Sequence, residues 1–423
     1  INSIQLALIY MKKILLFLAI YAASSILLVA QDEPKFKVKF SGFVKTDIFW
    51  DSRQTVSVRE GHFLLYPTNE SLDLNGNDIN DKSNFNMLSI QTRLRVLATG
   101  PDVLGAKTSA FVEGAFFGAI NSDVNTLRLR HAFVKLAWPE TQLLVGQYWH
   151  PMFNTKCYPG TVSFNTGAPF QPFSRNPQIR LTQKLGNFNL IFTALSQRDF
   201  ASNGPLGGSS RYLRNSGYPA FNLRFEYNKK NEEKGSEFLI GLSANYKALT
   251  PRLVTPENYQ TSNKATSGSF SAFVKYKSKK ITIKANGFYG GDAFNLVMLG
   301  GYGVTTLSDS TGNLEEYSCV RNASFWGEIH TNGKKWQFGL FGGYSKNLGS
   351  DNEILGSNYS RGSNIDYLYR ISPRVIFNAG KFRIAPEIEY TVAAYGDKQV
   401  DGTVTDAKAI GNVRILLGVY YFF

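Results

Sequence analysis

The side chains able to make or break bonds are few. The four histidines, His62, His131, His150 and His330, are scattered through 423 residues. None falls in HExxH or in a His/Cys metal spacing, and no GxSxG presents a nucleophile. Asp73, Asn75, Asn77 and Asp78 imitate the start of a calcium loop. The sixth place lacks glycine, however, and Asn84 stands where a bidentate glutamate belongs. That stretch reads as a polar loop, and neither a cofactor nor catalysis is expected. What the chain does supply is fixed positive charge. Arg93, Arg95, Arg128, Arg130, Arg180, Arg224 and Arg414 lie in alternating stretches, and Lys156 and Arg175 lie in a long connection. Cations set around an aqueous opening lower the barrier for anions and raise it for cations. Glu113 and Glu226 are partial counterweights. The plainer alternative is that each arginine pairs with an acid and fixes packing.

The elements that would hold these groups are strands. The final stretch, GNVRILLGVYYFF from Gly411 to Phe423, places Val413, Ile415, Leu417, Val419, Tyr421 and Phe423 on one row at spacing two. Asn412, Arg414 and Gly418 fall on the other row. Spacing two is the side-chain period of a strand. One apolar and one polar face suit a wall between lipid and water, with aromatics at its end. Charged residues oppose aliphatics in the same way over 269–277, 281–289 and 382–390. An arginine or lysine facing lipid at mid-depth would cost roughly 2–4 kcal/mol. The stretch 126–138 breaks the rule, since Arg128 and Arg130 share parity with Val134 and Leu136. A β-bulge near His131 would repair it.

The connections between strands alternate, long then short. The long ones are Asp51–Phe85, Ile120–Asn125, His150–Pro177, Arg198–Tyr218, Ala248–Gly268, Gly290–Val320, Lys346–Gly362 and Tyr395–Ala407. The strand count closes at sixteen, which puts all long connections at one rim and both chain ends at the other. The expected fold class is all-β: a transmembrane antiparallel β-barrel with short periplasmic turns and long external loops.

The start of the chain reads as an export signal. Residues 1–10 are expected to be an upstream, non-native start. Residues 11–30 combine Met11-Lys12-Lys13, an uncharged apolar run and a small Ala30, the pattern of a signal peptide. Residues 31–423 are expected to form one domain. The net charge of +14 would elsewhere suggest nucleic acid. In an exported barrel, outer-membrane lipid and small anionic solutes are the expected partners instead. Cys157 and Cys319 are placed in loops, either paired or free.

Residues 150–177 form the most informative connection. It is rich in proline, carries Phe153, Tyr158, Phe164, Phe170 and Phe173, and has no Asp or Glu. A stiff, aromatic and weakly basic loop fits a segment folded into a barrel better than a solvated tip.

Two stretches carry a family resemblance. Ser41-Gly42-Phe43-Val44-Lys45-Thr46-Asp47 is similar to the start of DcaP-like porins. Leu127 to Val134, followed by Leu144-Val145-Gly146-Gln147-Tyr148-Trp149 and Pro151, resembles the strand pair shared by DcaP-like and phosphate-selective porins. The resemblance implies a homotrimeric sixteen-stranded outer-membrane porin passing small, often anionic, solutes, with the third external loop (150–177) as its constriction. The competing expectation is a non-conducting outer-membrane barrel serving as an adhesin or a partner platform.

Overall fold

Alternating side chains dictate a sheet with unlike faces, and a sheet of this length removes its edges by closing on itself. The computed structural model describes residues 36–118 and 121–423. The upstream start and the signal peptide assigned above lie outside the described residues.

Sixteen antiparallel strands form the wall. They are β1 (Lys37–Asp51), β2 (Asn84–Leu88 continued by Arg93–Thr99), β3 (Lys107–Ala115), β4 (Arg128–Ala137), β5 (Thr141–Trp149), β6 (Arg175–Leu185), β7 (Phe188–Leu195) and β8 (Ala220–Asn231). Then come β9 (Ser236–Leu249), β10 (Ala265–Lys277), β11 (Ile281–Gly291), β12 (Glu316–Thr331), β13 (Trp336–Gly349), β14 (Ile365–Ala379), β15 (Phe382–Lys398) and β16 (Val404–Phe422). Each pairs with the next, and β1 pairs with both β2 and β16. The seam runs from Phe43 opposite Phe422 to Asp51 opposite Arg414. Gly42 completes it: its amide and carbonyl exchange hydrogen bonds with those of Phe423 at 3.1 and 3.2 Å. A Cβ at Gly42 would sit 2.2 Å from the Arg93 carbonyl oxygen, so only glycine permits this closure.

The two faces separate as alternation requires. On β8, Leu223 and Phe225 are exposed while Arg224 and Glu226 are buried. On β16, Ile415 faces out at 54% exposure and Arg414 faces in at 1%. The β3–β4 register shifts at Glu113/Gly114, so that Glu113 opposes His131 while Gly114 opposes Leu129. Arg130 is therefore the extra residue of a bulge, and both Arg130 and His131 point inward. This is the local break that the parity of 126–138 called for.

The structure differs from the expectation in two places, 51–85 and Cys319, and agrees with it at the Asp73 turn. The stretch 51–85 is not simply a polar external loop. It contains a hairpin, Thr55–Val58 with Phe63–Pro67, whose Phe63, Leu64, Leu65 and Tyr66 are at most 5% exposed. Cys319 lies within β12 rather than in a loop, and both cysteines are free thiols. The Asp73 turn is an exposed loop closed by its own bonds: the carboxylate accepts from the amides of Asn75 and Asn77 at 2.8 Å.

Candidate functional site

Residues 150–174, between β5 and β6, run through the inside of the barrel. Polar groups from many strands hold them there. Arg224 donates to the Pro151 carbonyl at 2.7 Å and Lys284 to the Tyr158 carbonyl at 2.8 Å. Glu328 accepts from the Gly160 amide at 2.8 Å, and Glu387 accepts from the amides of Val162 and Ser163. Lys45 donates to the Val162 carbonyl at 2.8 Å, Asn165 to Glu389 at 2.7 Å, and Arg370 to the Ala168 carbonyl at 2.9 Å. A segment without acids of its own can meet the wall's buried carboxylates through its backbone amides without charge repulsion, which is how buried charges are tolerated.

Aromatic side chains pack the loop against its neighbours. Trp149 stacks on Phe153 at 3.9 Å, and Phe173 meets Phe63 of the inner hairpin at 5.1 Å. Guanidinium groups lie over these rings: Arg59 over Phe117 at 4.5 Å, Arg130 over Phe117 at 5.3 Å and Arg175 over Trp149 at 5.3 Å. The segment Phe294–Leu296 joins from another connection, its Leu296 carbonyl accepting from the Phe173 amide at 2.8 Å. One apolar cluster thus reaches from Phe49 and Leu416, neighbours at the seam, through the inner segments to Leu239 on β9 and Phe273 on β10. Burial pushes the Cys157 thiol up to about 12 and holds the His62 imidazole down to about 4.

Between this packed layer and the short turns lie three hollows. The first, about 650 Å³, is lined by Arg93, Arg95, Arg130 and Arg383 against Glu113. The second, about 360 Å³, is lined by Lys135, Lys156, Arg180, Lys184 and Arg224 against Glu226. The third, about 450 Å³, is lined by Lys156, Lys230, Lys275, Lys277 and Lys284 against Glu237. Thr155 and Tyr158 are shared by the first and third, and Thr155 and Lys156 by the second and third. The loop is therefore their common roof. Each hollow carries four or five basic side chains for one acid.

The nine cations singled out in the sequence do not gather in one place. Arg93, Arg95 and Arg130 converge on Glu113, at 4.0, 2.5 and 2.6 Å, with His131 at 4.0 Å. Lys156 and Arg224 share Glu226, and Arg180 beside them donates to the Trp149 carbonyl at 2.7 Å. Arg128 and Arg175 both pair with Asp199, at 2.6 and 2.7 Å. Arg414 forms a bidentate pair with Asp51, outside the hollows. Sequence reasoning missed the acids Asp51 and Asp199. It also missed the cations Lys45, Lys284, Arg370, Arg374 and Arg383 that hold the loop or line the hollows. Parity at Arg370, Arg374 and Arg383 was the available signal, since each opposes aliphatic residues on its strand.

No family model and no curated protein sequence matches the chain. Solved structures do. The outer membrane channel DcaP of Acinetobacter baumannii superposes with a TM-score of 0.69 at 16% identity, over 93% of this chain and 100% of that one. The trimer form of OmpT, an outer membrane protein of Vibrio cholerae, gives 0.54 at 12%, over 92% and 99%. The anion-selective porin from Comamonas acidovorans gives 0.51 at 10%, over 92% and 100%. At these identities the likeness establishes a shared fold, the closed sixteen-stranded barrel.

Proposed function

We propose that the protein is an outer-membrane porin, a passive and non-enzymatic diffusion channel for small hydrophilic solutes with a preference for anions. The observation that carries this reading is the charge of the three hollows beneath the inner loop, where single glutamates face four or five basic side chains each. A solute entering there meets a positive field in a confined space, which favours anions and disfavours cations. The cations left in excess after pairing with Glu113, Glu226 and Glu237 supply that field. The inner loop, residues 150–174 of the 150–177 stretch, acts as the constriction, and the barrel works as a homotrimer, like the assembled form named for the Vibrio OmpT structure.

Purified protein added to a planar bilayer should give discrete open-channel steps. In a potassium chloride gradient the reversal potential should lie on the chloride side of zero. A cation-side potential would reject the anion preference. A second reading has its own support: the apolar cluster across the interior favours a barrel that does not conduct and serves as a surface platform. Absence of any current from protein shown to be inserted would decide for that alternative.

A further inference from the structure

On the outer wall, strands β8 to β12 present a long hollow. It consists of two adjoining depressions of about 600 Å³ each, which share Phe225, Leu242, Ala272 and Gly287. Its floor is made of small outward residues, Ala272, Ala285 and Gly287. A Cβ at Gly287 would meet nothing closer than the Ser324 carbonyl oxygen at 4.0 Å. Its banks are large: Phe225 and Leu242 on one side, Phe325 on the other, all 45–62% exposed. The result is an apolar trough along the lipid-facing wall.

The same strands end in three neighbouring short turns. Their adjacency is direct: the Asn332 amide donates to the Lys280 carbonyl at 2.8 Å, and the Lys279 stem lies against Gly235. These turns, with the end of β8 that leads into the first, carry exposed Lys229, Lys234, Lys279, Lys280, Lys334 and Lys335. None of the six forms an ion pair among the described residues. The exposed acids on the same turns are Glu232 and Glu233. From Val274, at the end of the trough, to Lys279 is a short climb of roughly 3.3 Å per residue along β10 and into its turn. Outward Tyr276 and Phe238 lie between, at the level where aromatic side chains meet headgroups.

We propose that this face is a binding site for an anionic phospholipid. The acyl chains lie in the trough over Ala272 and Gly287, and the phosphate is held by the lysines of the three turns. Apolar area and charge are placed in the order in which such a lipid carries them. A neutral lipid would use the trough alone and leave the lysine cluster idle. The site is separate from the hollows inside the barrel. It rests on the membrane-barrel part of the proposed function, and not on conduction.

Delipidated full-length protein in detergent, offered equal amounts of phosphatidylglycerol and phosphatidylcholine, should retain phosphatidylglycerol at least tenfold more by native mass spectrometry. Lys279→Gln/Lys280→Gln/Lys334→Gln/Lys335→Gln should bring the ratio to about one. Gly287→Leu, which fills the trough without touching charge, should lower retention of both lipids at least fivefold. Heat-modifiable migration on a gel checks that each variant has folded. Equal retention of the two lipids by the unaltered protein overturns the inference. So does Gly287→Leu changing the oligomer while leaving lipid retention intact, since a second copy of the chain would then be the occupant. Failure of the unaltered protein to insert into vesicles of either lipid would instead remove the membrane-channel reading itself.

Discussion

The imidazole of His62 stacks on the ring of Phe164, with centroids 4.8 Å apart and 30° between the planes. One ring belongs to the hairpin of the first long connection and the other to the loop that follows β5. The two interior segments are thus one packed unit. Arg370 confirms it by donating to the Leu65 carbonyl with one nitrogen and to the Ala168 carbonyl with another, both at 2.9 Å.

The His62 contact makes this unit acid-sensitive. The imidazole is buried, bonded to Asp47 at 3.0 Å and near Lys45 and Arg59. Burial depresses its pKa to about 4, against 6.5 when free. Between those values the undocked or unfolded hairpin binds a proton that the docked form does not. Docking is therefore at full strength above pH 6.5 and weakens as pH falls towards 4, by about 3 kcal/mol in the limit. Bilayer recordings should show noisier, larger-conductance openings as the pH is lowered from 6.5 to 4. His62→Phe keeps the stacking and should flatten that dependence; an unchanged pH profile in this variant would exclude His62 as its source.

Glu387 is the principal pin of the loop tip, since it accepts from the Val162 and Ser163 amides and from the Ser372 hydroxyl. Glu387→Ala leaves these buried donors without an acceptor, at about 1–3 kcal/mol each. The variant should lose its compact gel form at a lower temperature than the unaltered barrel. Its single-channel conductance should be higher, because Val162 and Ser163 are no longer held to β15, leaving the Asn165 bond to Glu389 to anchor the tip there. Unchanged conductance in correctly folded protein would mean that the loop tip does not narrow the passage.

How much of this was legible in the sequence depends on what alternation encodes. Parity reports which face a side chain takes, so the sixteen strands, the inward cations and the bulge at Arg130 could all be read from spacing. Parity says nothing of height or of partners around the wall. Arg414 and Asp51 are 363 residues apart in sequence yet cross-strand neighbours at the seam. Asp199 sits in a connection where no periodicity applies, so the lock it places on Arg128 and Arg175 was invisible. The inner hairpin left one trace, the run Phe63-Leu64-Leu65-Tyr66 inside an otherwise polar stretch. Four consecutive apolar residues bounded by His62 and Pro67 mark a segment buried on both faces, and that reading was available.

Charge selectivity should respond to Glu113, the lone acid among Arg93, Arg95 and Arg130. Glu113→Gln keeps the volume and removes the negative charge. The reversal potential in a salt gradient should move further towards the chloride limit, with the anion-to-cation permeability ratio rising severalfold. Arg130 is 1% exposed, so the variant should also fold less stably. An unchanged reversal potential would show that the hollow beside Glu113 lies off the permeation path.

Cys157 offers a probe of whether the loop leaves its place. The thiol is buried against the Val274 carbonyl at 3.4 Å and held up to about 12 by burial, so almost no thiolate exists at pH 8. Iodoacetamide should leave Cys157 unmodified over hours in folded protein and modify it within minutes after heating in detergent, as read by peptide mass. Glu387→Ala should bring modification of Cys157 in the folded barrel forward by at least tenfold, because release of the tip at Val162 frees the turn that buries the sulfur. If the thiol stays inert in that variant, the segment around Cys157 is anchored independently, through the Lys284 bond to the Tyr158 carbonyl. Lys284→Met combined with Glu387→Ala should then be needed to expose it.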